Sequence, residues 1–200
     1  MNVITCEIPG LVVVEPKVFG DARGFFMETW NRQRYHEAGL DWNFVQDNVS
    51  LSRRGTLRGL HFQNPAAQGK MVFVLQGEVF DVAVDIRRSS PTFGRWHGLH
   101  LSSENKRQFF VPPGFAHGFA VLSETAMFVY KCTELYTPQN ELTLAWNDPD
   151  IGIQWPLDNP QLSRMWEKRQ RGYRAMGYRI ETNQFQPAFG RQTELLEMPN

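Results

Sequence analysis

The stretch EVFDVAVDI, residues 78–86, decides the fold class because its side chains alternate in character with a period of two, which is the period of a β-strand. Successive side chains of a β-strand point to opposite faces. One face consists of Phe80, Val82, Val84 and Ile86, and the other carries Asp81 and Asp85 beside Val79 and Ala83. A strand with one apolar face and one face that bears ionisable groups is typical of a barrel whose interior holds a ligand.

Segments of the same kind, separated by turn signals, fill most of the chain. Many short β segments at roughly even spacing predict an all-β sandwich or jelly-roll barrel. No βαβ repeat and no low-complexity linker divides the chain. One early helix is predicted over residues 31–39, with Asn31 as its N-cap and Gly39 as its stop signal.

Composition narrows the class of protein. A chain of 200 residues with 42% hydrophobic side chains suits one domain with a sizeable core. The 21 basic residues balance the 21 acidic ones, which argues against nucleic acid or an anionic membrane as the main partner. Cys6 and Cys132 are too few for a disulfide framework. No leader and no spanning apolar run is visible, so we expect a soluble, reducing, cytoplasmic setting.

The stretch AMFVYKCTELY, residues 126–136, repeats the alternation of the opening segment. Phe128, Tyr130 and Cys132 share a face, and Tyr136 joins them if the strand stays regular. Lys131 points the opposite way. Two strands of the predicted barrel therefore each bring a polar or ionisable group to one face.

A third segment, TLRGLHFQ at residues 56–63, puts Arg58 and His61 into an apolar run. Strict alternation places these two residues on opposite faces. A bulge or twist at Gly59 could reconcile them, and the alternative is that Arg58 reaches another wall of the pocket. His61 can accept a proton near neutral pH, Lys70 can stabilise an oxyanion, and Tyr130 can return a proton. This set fits an epimerase that acts through an enolate. A histidine satisfied within the core is the alternative, and periodicity alone leaves both open.

The segment VPPGFAHGFAVL, residues 111–122, places His117 after a Pro-Gly turn, either at a barrel mouth or simply as a turn histidine. Together with the segment around His61 it resembles the paired motifs of the cupin superfamily. Metal-binding cupins use several histidines and a glutamate. This chain has no H-x-H pair in the first motif, and His97 and His100 would face opposite sides of a strand. We therefore expect no bound metal.

Seven motifs, in order along the chain, resemble the dTDP-4-dehydrorhamnose 3,5-epimerase family. They are FGDARGFFMETW, FVQDNVSLS, GTLRGLHFQ, GEVFDVAVDIRRSSPTFGRW, LSSENKRQFFVPPGFAHGFAVLSE, FVYKCTELYTPQNE and WNDPDIGIQWP. The resemblance covers about residues 1–163. It implies a cupin jelly roll, a homodimer, and no metal or organic cofactor. The implied reaction epimerises dTDP-4-dehydro-6-deoxy-D-glucose at C3 and C5 toward dTDP-4-dehydro-L-rhamnose.

The resemblance also assigns residues to roles. His61 matches the base, Tyr130 the acid, and Lys70 the group that steadies the enolate oxygen. Tyr136 matches the aromatic that stacks on thymine, although core packing is its alternative. The other substrate-contacting positions are matched by Arg23, Glu28, Gln46, Asn48, Arg58, His117 and Glu141. For Arg23 and Arg58 the alternative is a surface ion pair.

One position departs from the family pattern. The family places an aspartate that pairs with the catalytic histidine shortly after an "LS" pair, and here Trp166 occupies that position. Asp81 and Glu167 are the candidate replacements. The departure leaves two alternative functions: epimerisation of a related 4-keto-6-deoxy nucleotide sugar at one centre only, C3 or C5, or binding of a sugar nucleotide without catalysis. We treat residues 1–200 as one domain in which 164–200 form a divergent tail. The apolar run LVVV, residues 11–14, is expected to contribute to a dimer interface.

Overall fold

The structure, a computed structural model, describes residues 1–162 and consists mainly of short strands. The strands are β1 (Asn2–Thr5), β2 (Val12–Glu15), β3 (Val18–Asp21), β4 (Gly24–Met27), β5 (Gln46–Arg53), β6 (Thr56–Gln63), β7 (Lys70–Gln76), β8 (Glu78–Asp85), β9 (Trp96–Ser102), β10 (Gln108–Val111), β11 (Phe115–Val121), β12 (Thr125–Cys132), β13 (Glu141–Thr143) and β14 (Gln161–Leu162). Helix α1 spans Arg32–Glu37, and a 3-10 turn spans Pro138–Asn140. In this part of the chain no helix is long and apolar enough to cross a membrane.

Two sheets form the cupin-type jelly roll that the sequence predicts. The first has the strand order β1-β2-β10-β7-β12-β5, and the second has the order β13-β6-β11-β8-β9. Strand β14 adds to β6 in parallel, while the other pairings are antiparallel. A separate hairpin is made by β3 and β4. The predicted tail 164–200 lies outside the described residues.

The main core lies between the two sheets, and a further apolar cluster covers the outer face of each. Strand β8 is buried on both faces: Val79 and Ala83 pack in the main core, whereas Val82 and Val84 pack outside the second sheet against Ile151. A strand buried on both faces reads as a nearly continuous apolar run. The faces predicted for residues 78–86 are therefore confirmed.

Helix α1 forms where the sequence predicts it. Asn31 Oδ1 accepts a hydrogen bond from Arg34 N at 3.1 Å, which satisfies one of the free amides of the first turn. The chain leaves the helix at Gly39, whose φ of +81° suits a residue without a Cβ. Tyr35 anchors the helix by donating a hydrogen bond to Gln108 Oε1 on β10. Burial raises the pKa of this phenol to about 12, so the hydroxyl keeps its proton.

The predicted irregularity at Gly59 is also confirmed. Strand β6 pairs with β11 as His61↔His117 and then as Arg58↔Phe119, so β6 contains one extra residue over this interval. Gly59 has a φ of +129° and lies against the backbone of Gly118. A bulge of this kind changes which face the following side chains occupy. It allows Arg58 and His61 to reach the same side of the sheet.

Gly59→Ala is expected to destabilise the protein by about 3 kcal/mol or more, because a positive φ and a steric clash act together. A Cβ at this position would lie 2.5 Å from Gly118 Cα and 2.8 Å from His117 O. Gly55→Ala is the matched control, since Gly55 has a φ of +81° but nothing within 4 Å of an added Cβ. It should cost about 1 kcal/mol. Urea unfolding measures both, and equal losses would contradict the role assigned to the close contact.

Candidate active site

A cavity of about 320 Å³ opens between the two sheets. Strands β5, β7 and β12 supply one wall, and β6, β11 and β13 supply the other. Its lining side chains include Gln46, Asn48, Ser50, Arg58, His61, Phe62, Gln63, Gln68, Lys70, His117, Phe119, Phe128, Tyr130, Cys132, Tyr136 and Glu141. Nine of the eleven residues that the family resemblance assigns to catalysis or substrate contact are therefore brought together here.

Strand β5 directs its polar side chains into the cavity. Gln46, Asn48 and Ser50 line the cavity, whereas Val49 and Leu51 on the other face are 64% and 60% exposed. This pattern is the reverse of an ordinary amphipathic strand, in which the apolar face is buried. Ser50 Oγ is buried and has no hydrogen-bond partner within residues 1–162. A buried hydroxyl normally has such a partner, so this oxygen is available to a ligand.

Strand pairing sets Lys70 and Tyr130 side by side on the inner wall. Lys70 pairs with Cys132 across β7 and β12, and Tyr130, two residues before Cys132 on the same face of β12, pairs with Val72. Burial lowers the pKa of Lys70, although Cys132, Glu141 and Asp81 oppose that shift. Burial raises the pKa of Tyr130. The phenol therefore keeps its proton at neutral pH and can act as an acid, as a proton-returning group must.

His61 meets a carboxylate from β13. Its Nδ1 atom lies 3.2 Å from Oε1 of Glu141, whose side chain is only 7% exposed. Strand β13 pairs with β6 as Thr143↔His61 and Glu141↔Gln63, which fixes this contact. Tyr136 donates a hydrogen bond to the second oxygen of Glu141 at 2.6 Å. The carboxylate beside His61 is thus Glu141, which the sequence had marked only as a substrate contact.

Asp81, one of the two carboxylates proposed for His61, lies beside another histidine. Its Oδ1 atom is 2.8 Å from Nε2 of His117, and both side chains are buried. The expectation that Asp81 partners His61 is thereby corrected, because β8 pairs with β11 and not with β6. Glu167, the other candidate, and Trp166 lie outside the described residues. His117 is thus a buried, hydrogen-bonded histidine that also lines the cavity.

Arg58 reaches the cavity from the bulged strand. Its Nε atom donates a hydrogen bond to Ser52 Oγ at 2.9 Å, which bridges β6 to β5. At the opposite end of β5, Gln46 Nε2 donates to Asn48 Oδ1, and Gln46 Oε1 accepts from Tyr136 N. These contacts hold the polar wall in place. This geometry contradicts the alternative interpretation of Arg58 as a member of a surface ion pair.

Two of the assigned residues lie away from the cavity. Arg23 forms an ion pair with Asp21 at 2.6 Å in the β3–β4 hairpin, and its side chain is 90% exposed. Glu28 pairs with Arg34 of the helix at 2.9 Å.

Sequence reasoning did not single out Ser50 and Phe62, which also line the cavity. Ser50 could have been found by alternation, because it shares a face with Gln46 and Asn48.

The histidines of β9 point to opposite faces, as their spacing predicts. His97 lies near the ring of Phe109 in the core, whereas His100 contacts Glu78 at 2.6 Å on the surface. Within residues 1–162 no group of three His, Cys, Asp or Glu side chains is placed to hold a metal ion. The absence of a bound metal from the working enzyme stays a prediction.

The sequence of this chain resembles a known protein family over most of its length. A family model described as dTDP-4-dehydrorhamnose 3,5-epimerase matches residues 5–171. The Shigella flexneri protein called dTDP-4-dehydrorhamnose 3,5-epimerase is 59% identical over 165 residues, which cover 82% of this chain and 91% of that protein.

Two solved structures show how the fold compares. The Legionella pneumophila dTDP-6-deoxy-D-glucose-3,5-epimerase, in complex with dTDP-4-keto-L-rhamnose, is 56% identical, with a TM-score of 0.79 and coverage of 81% of this chain and 87% of that chain. A 3′-monoepimerase from Streptomyces bikiniensis, in complex with dTDP-quinovose, is 32% identical. Its TM-score is 0.74, with coverage of 85% of this chain and 98% of that chain.

Proposed function

Because the chain belongs to the dTDP-4-dehydrorhamnose 3,5-epimerase family, whose members are isomerases, we propose that its cavity inverts C3 and C5 of dTDP-4-dehydro-6-deoxy-D-glucose. The product is dTDP-4-dehydro-L-rhamnose. The observation that carries this proposal is that His61, Lys70 and Tyr130 line one cavity between the sheets. A base, a cation and a phenol are the groups that removal and return of a proton beside a carbonyl require.

The same three residues act at each centre. His61 removes the proton from the carbon next to the C4 carbonyl, and the electron pair of that C–H bond moves onto the carbonyl oxygen to form an enolate. The Lys70 ammonium stabilises the negative oxygen. Tyr130 then gives its proton to the carbon from the opposite face, the carbonyl re-forms, and the configuration is inverted. His61 releases its proton to solvent and the Tyr130 phenolate takes one from solvent before the second centre reacts. No redox step is involved, so no organic cofactor is needed.

The polar wall of the cavity provides the substrate contacts. On this proposal Gln46, Asn48 and Arg58 contact sugar and diphosphate oxygens, and Ser50 Oγ is an additional donor. His117 lines the inner part of the cavity beside Asp81. Tyr136, which is 42% exposed at the cavity, is placed to stack on the thymine ring.

Incubation with dTDP-4-dehydro-6-deoxy-D-glucose in deuterated water tests the function directly. We expect deuterium at both C3 and C5, read by NMR, because each inversion replaces a carbon-bound proton. Label at one position only would identify a single-centre epimerase, the alternative that Trp166 suggests. Label at neither position, with dTDP still bound, would identify a sugar-nucleotide binder and contradict the proposal.

A homodimer belongs to the same proposal, but its support differs from the one expected from the sequence. Leu11, Val13 and Val14 are buried within the chain's own core. The exposed apolar surface lies instead on the β3–β4 hairpin and on the outer face of β5. Its members are Val18, Phe19, Phe25, Phe26, Val49 and Leu51. Large apolar side chains exposed on one hairpin and on one strand face favour an interaction site there.

A second copy of the chain is the occupant that fits this surface. Arg23 and Glu28, which the resemblance assigns to substrate contact, lie on or next to the hairpin and outside the cavity of their own chain. Docking of the hairpin on a second copy would bury its phenylalanines. It would also allow these two residues to approach the partner's cavity.

Light scattering at micromolar concentration is expected to give twice the chain mass of 23.2 kDa. Val49→Asp should shift the protein toward monomer, because it places a charge in an apolar interface. Val49→Thr, which is nearly isosteric and uncharged, is the matched control and should remain dimeric. A monomeric wild-type protein would contradict the dimer.

We also propose a cytoplasmic setting, since Cys6 and Cys132 are both free thiols.

A further inference from the structure

Glu141 contacts two residues of the cavity at once. Its Oε1 atom lies 3.2 Å from Nδ1 of His61, and its Oε2 atom accepts a 2.6 Å hydrogen bond from the hydroxyl of Tyr136. The carboxylate is buried, whereas Tyr136 is 42% exposed. The three side chains therefore form a chain of polar contacts that leads from the exposed part of the cavity to the proposed base.

The backbone holds both ends of this chain. Glu141 opens β13 and pairs with Gln63, two residues after His61 on β6. The buried Gln63 side chain donates to Leu135 O and accepts from Thr137 N, so it clamps the residues on either side of Tyr136. One strand thus fixes the positions of the histidine, the carboxylate and the tyrosine. A positioning function requires such support.

A carboxylate at Nδ1 determines what an imidazole can do. A carboxylate oxygen 3.2 Å from Nδ1 favours the tautomer of neutral His61 that carries its proton on Nδ1, and Nε2 then keeps its lone pair. The negative charge also stabilises the imidazolium that forms once a proton has been taken. The hydroxyl of Tyr136 acts in the opposite sense, because a hydrogen bond to the carboxylate reduces its basicity.

We propose that Glu141 is the positioning carboxylate of His61, and that Tyr136 tunes it, so that the nucleobase end of the cavity is coupled to the base. This inference rests on the proposed function, because it gives Tyr136 the thymine-stacking role and His61 the role of base. Glu141 acts through His61, and the exposed Tyr136 ring is the part of the relay that a bound nucleotide touches.

Other charged or titratable groups face the same cavity and are held constant in the test. They are Arg58 from β6, Lys70 from β7, His117 from β11, and Tyr130 and Cys132 from β12, and Asp81 from β8 contacts His117. None of them is altered in the variants used below. A shift in the titration of His61 that appears only when Glu141 or Tyr136 is changed therefore reports the relay.

The primary experiment is an NMR titration of the His61 ring nitrogens in the dimeric, full-length protein without substrate. In Glu141→Gln the midpoint should fall, because the imidazolium loses its anionic neighbour. In Tyr136→Phe, which keeps the ring but removes the hydroxyl, the midpoint should rise, because the carboxylate becomes more basic. Glu141→Asp should restore the midpoint toward the wild-type value. Glu78→Gln is the matched control, since Glu78 contacts His100 on the surface and should leave His61 unchanged.

Kinetics provide the second readout. For Glu141→Gln we expect kcat for deuterium exchange to fall by about 10²-fold, while the Kd for dTDP stays within about threefold of wild type. The acid limb of the pH profile should move to lower pH. For Tyr136→Phe we expect a loss of about tenfold, as for one hydrogen bond to a charged group, and the acid limb should move to higher pH.

The two proposals fail in different ways. An unchanged His61 midpoint in both Glu141→Gln and Tyr136→Phe would overturn the relay even if the enzyme epimerises both centres. A rise in KM with unchanged kcat and pH profile would likewise reduce Glu141 to a substrate contact. If Glu167→Gln lowers the midpoint and Glu141→Gln does not, the partner lies in the C-terminal segment and the relay is wrong. Absence of exchange in the wild-type protein would contradict the proposed function and the catalytic part of the relay, whereas the expected midpoint shifts would still establish the link from Tyr136 through Glu141 to His61.

Discussion

His61→Ala is expected to lose deuterium exchange at both C3 and C5 by about 10²- to 10⁴-fold while still binding dTDP. The His61 imidazole lies beside Glu141 in the cavity and is the proposed base at each centre, so its loss should remove both reactions together. The proposed nucleotide contacts come from other strands, chiefly β5 and the segment around Tyr136. Binding should therefore survive the substitution.

The matched control for this variant is His100→Ala. His100 also has its Nδ1 atom next to a carboxylate, Glu78 at 2.6 Å, but it lies on the surface away from the cavity. Exchange and dTDP affinity should both match the wild type in this control. Exchange at the wild-type rate in His61→Ala would remove His61 from the mechanism. Loss at only one centre would show that a different residue is the base at the other.

Lys70→Met is expected to slow every exchange by roughly 10²- to 10³-fold, because in the proposed mechanism each proton removal passes through an enolate that the ammonium stabilises. The effect should appear at C3 and C5 alike. Lys131→Met is the matched control: its side chain points to the outer face of β12, where it pairs with Asp47 at 2.8 Å. An unchanged rate in Lys70→Met would show that another group holds the enolate oxygen.

Lys70→Met is expected to stabilise the folded protein although it slows the reaction. Burial lowers the pKa of Lys70, so the folded protein binds the proton of this group less tightly than the unfolded chain. The cost of burying the ammonium is therefore present below the folded-state pKa, and it disappears as pH rises toward the ordinary lysine value of about 10.4. At neutral pH, Lys70→Met should unfold at a higher temperature than wild type. The difference should narrow in alkali, as thermal unfolding at several pH values would show.

Catalysis by the wild-type enzyme should reflect the same shift. Burial lowers the pKa of Lys70, so its ammonium is lost at a lower pH than that of an ordinary lysine and the alkaline limb of the exchange profile should shift toward lower pH. The cost in stability and the benefit in catalysis have one origin, which is the burial of a cation where negative charge develops. Such an exchange of stability for function is common at active sites.

Local sequence patterns were enough to predict the strands and the helix from which this protein is built. The alternation in residues 78–86 correctly placed Val79 and Ala83 in one core cluster and Val82 and Val84 in another. The N-cap at Asn31 was readable because capping depends on a side chain and an amide three residues apart. The bulge in β6 was readable because two functional side chains needed one face and a glycine lay between them.

The family resemblance supplied what periodicity could not, namely the reaction and the candidate residues. Nine of those eleven residues meet in one cavity, although their catalytic roles stay predictions. Arg23 and Glu28 lie elsewhere, since the β3–β4 hairpin does not fold over the cavity of its own chain. The residues beyond 162 that carry the departure at Trp166 are not described by the structure.

Only the tertiary structure decided which carboxylate meets which histidine. Glu141 reaches His61 because β13 pairs with β6, and Asp81 reaches His117 because β8 pairs with β11. It also decided that β5 turns its polar side chains inward, since Val49 and Leu51 lie on the exposed face. The physical reason is that strand order and register are set by packing between segments far apart in the chain. Alternation within a strand shows which side chains share a face, but not which strand that face will meet.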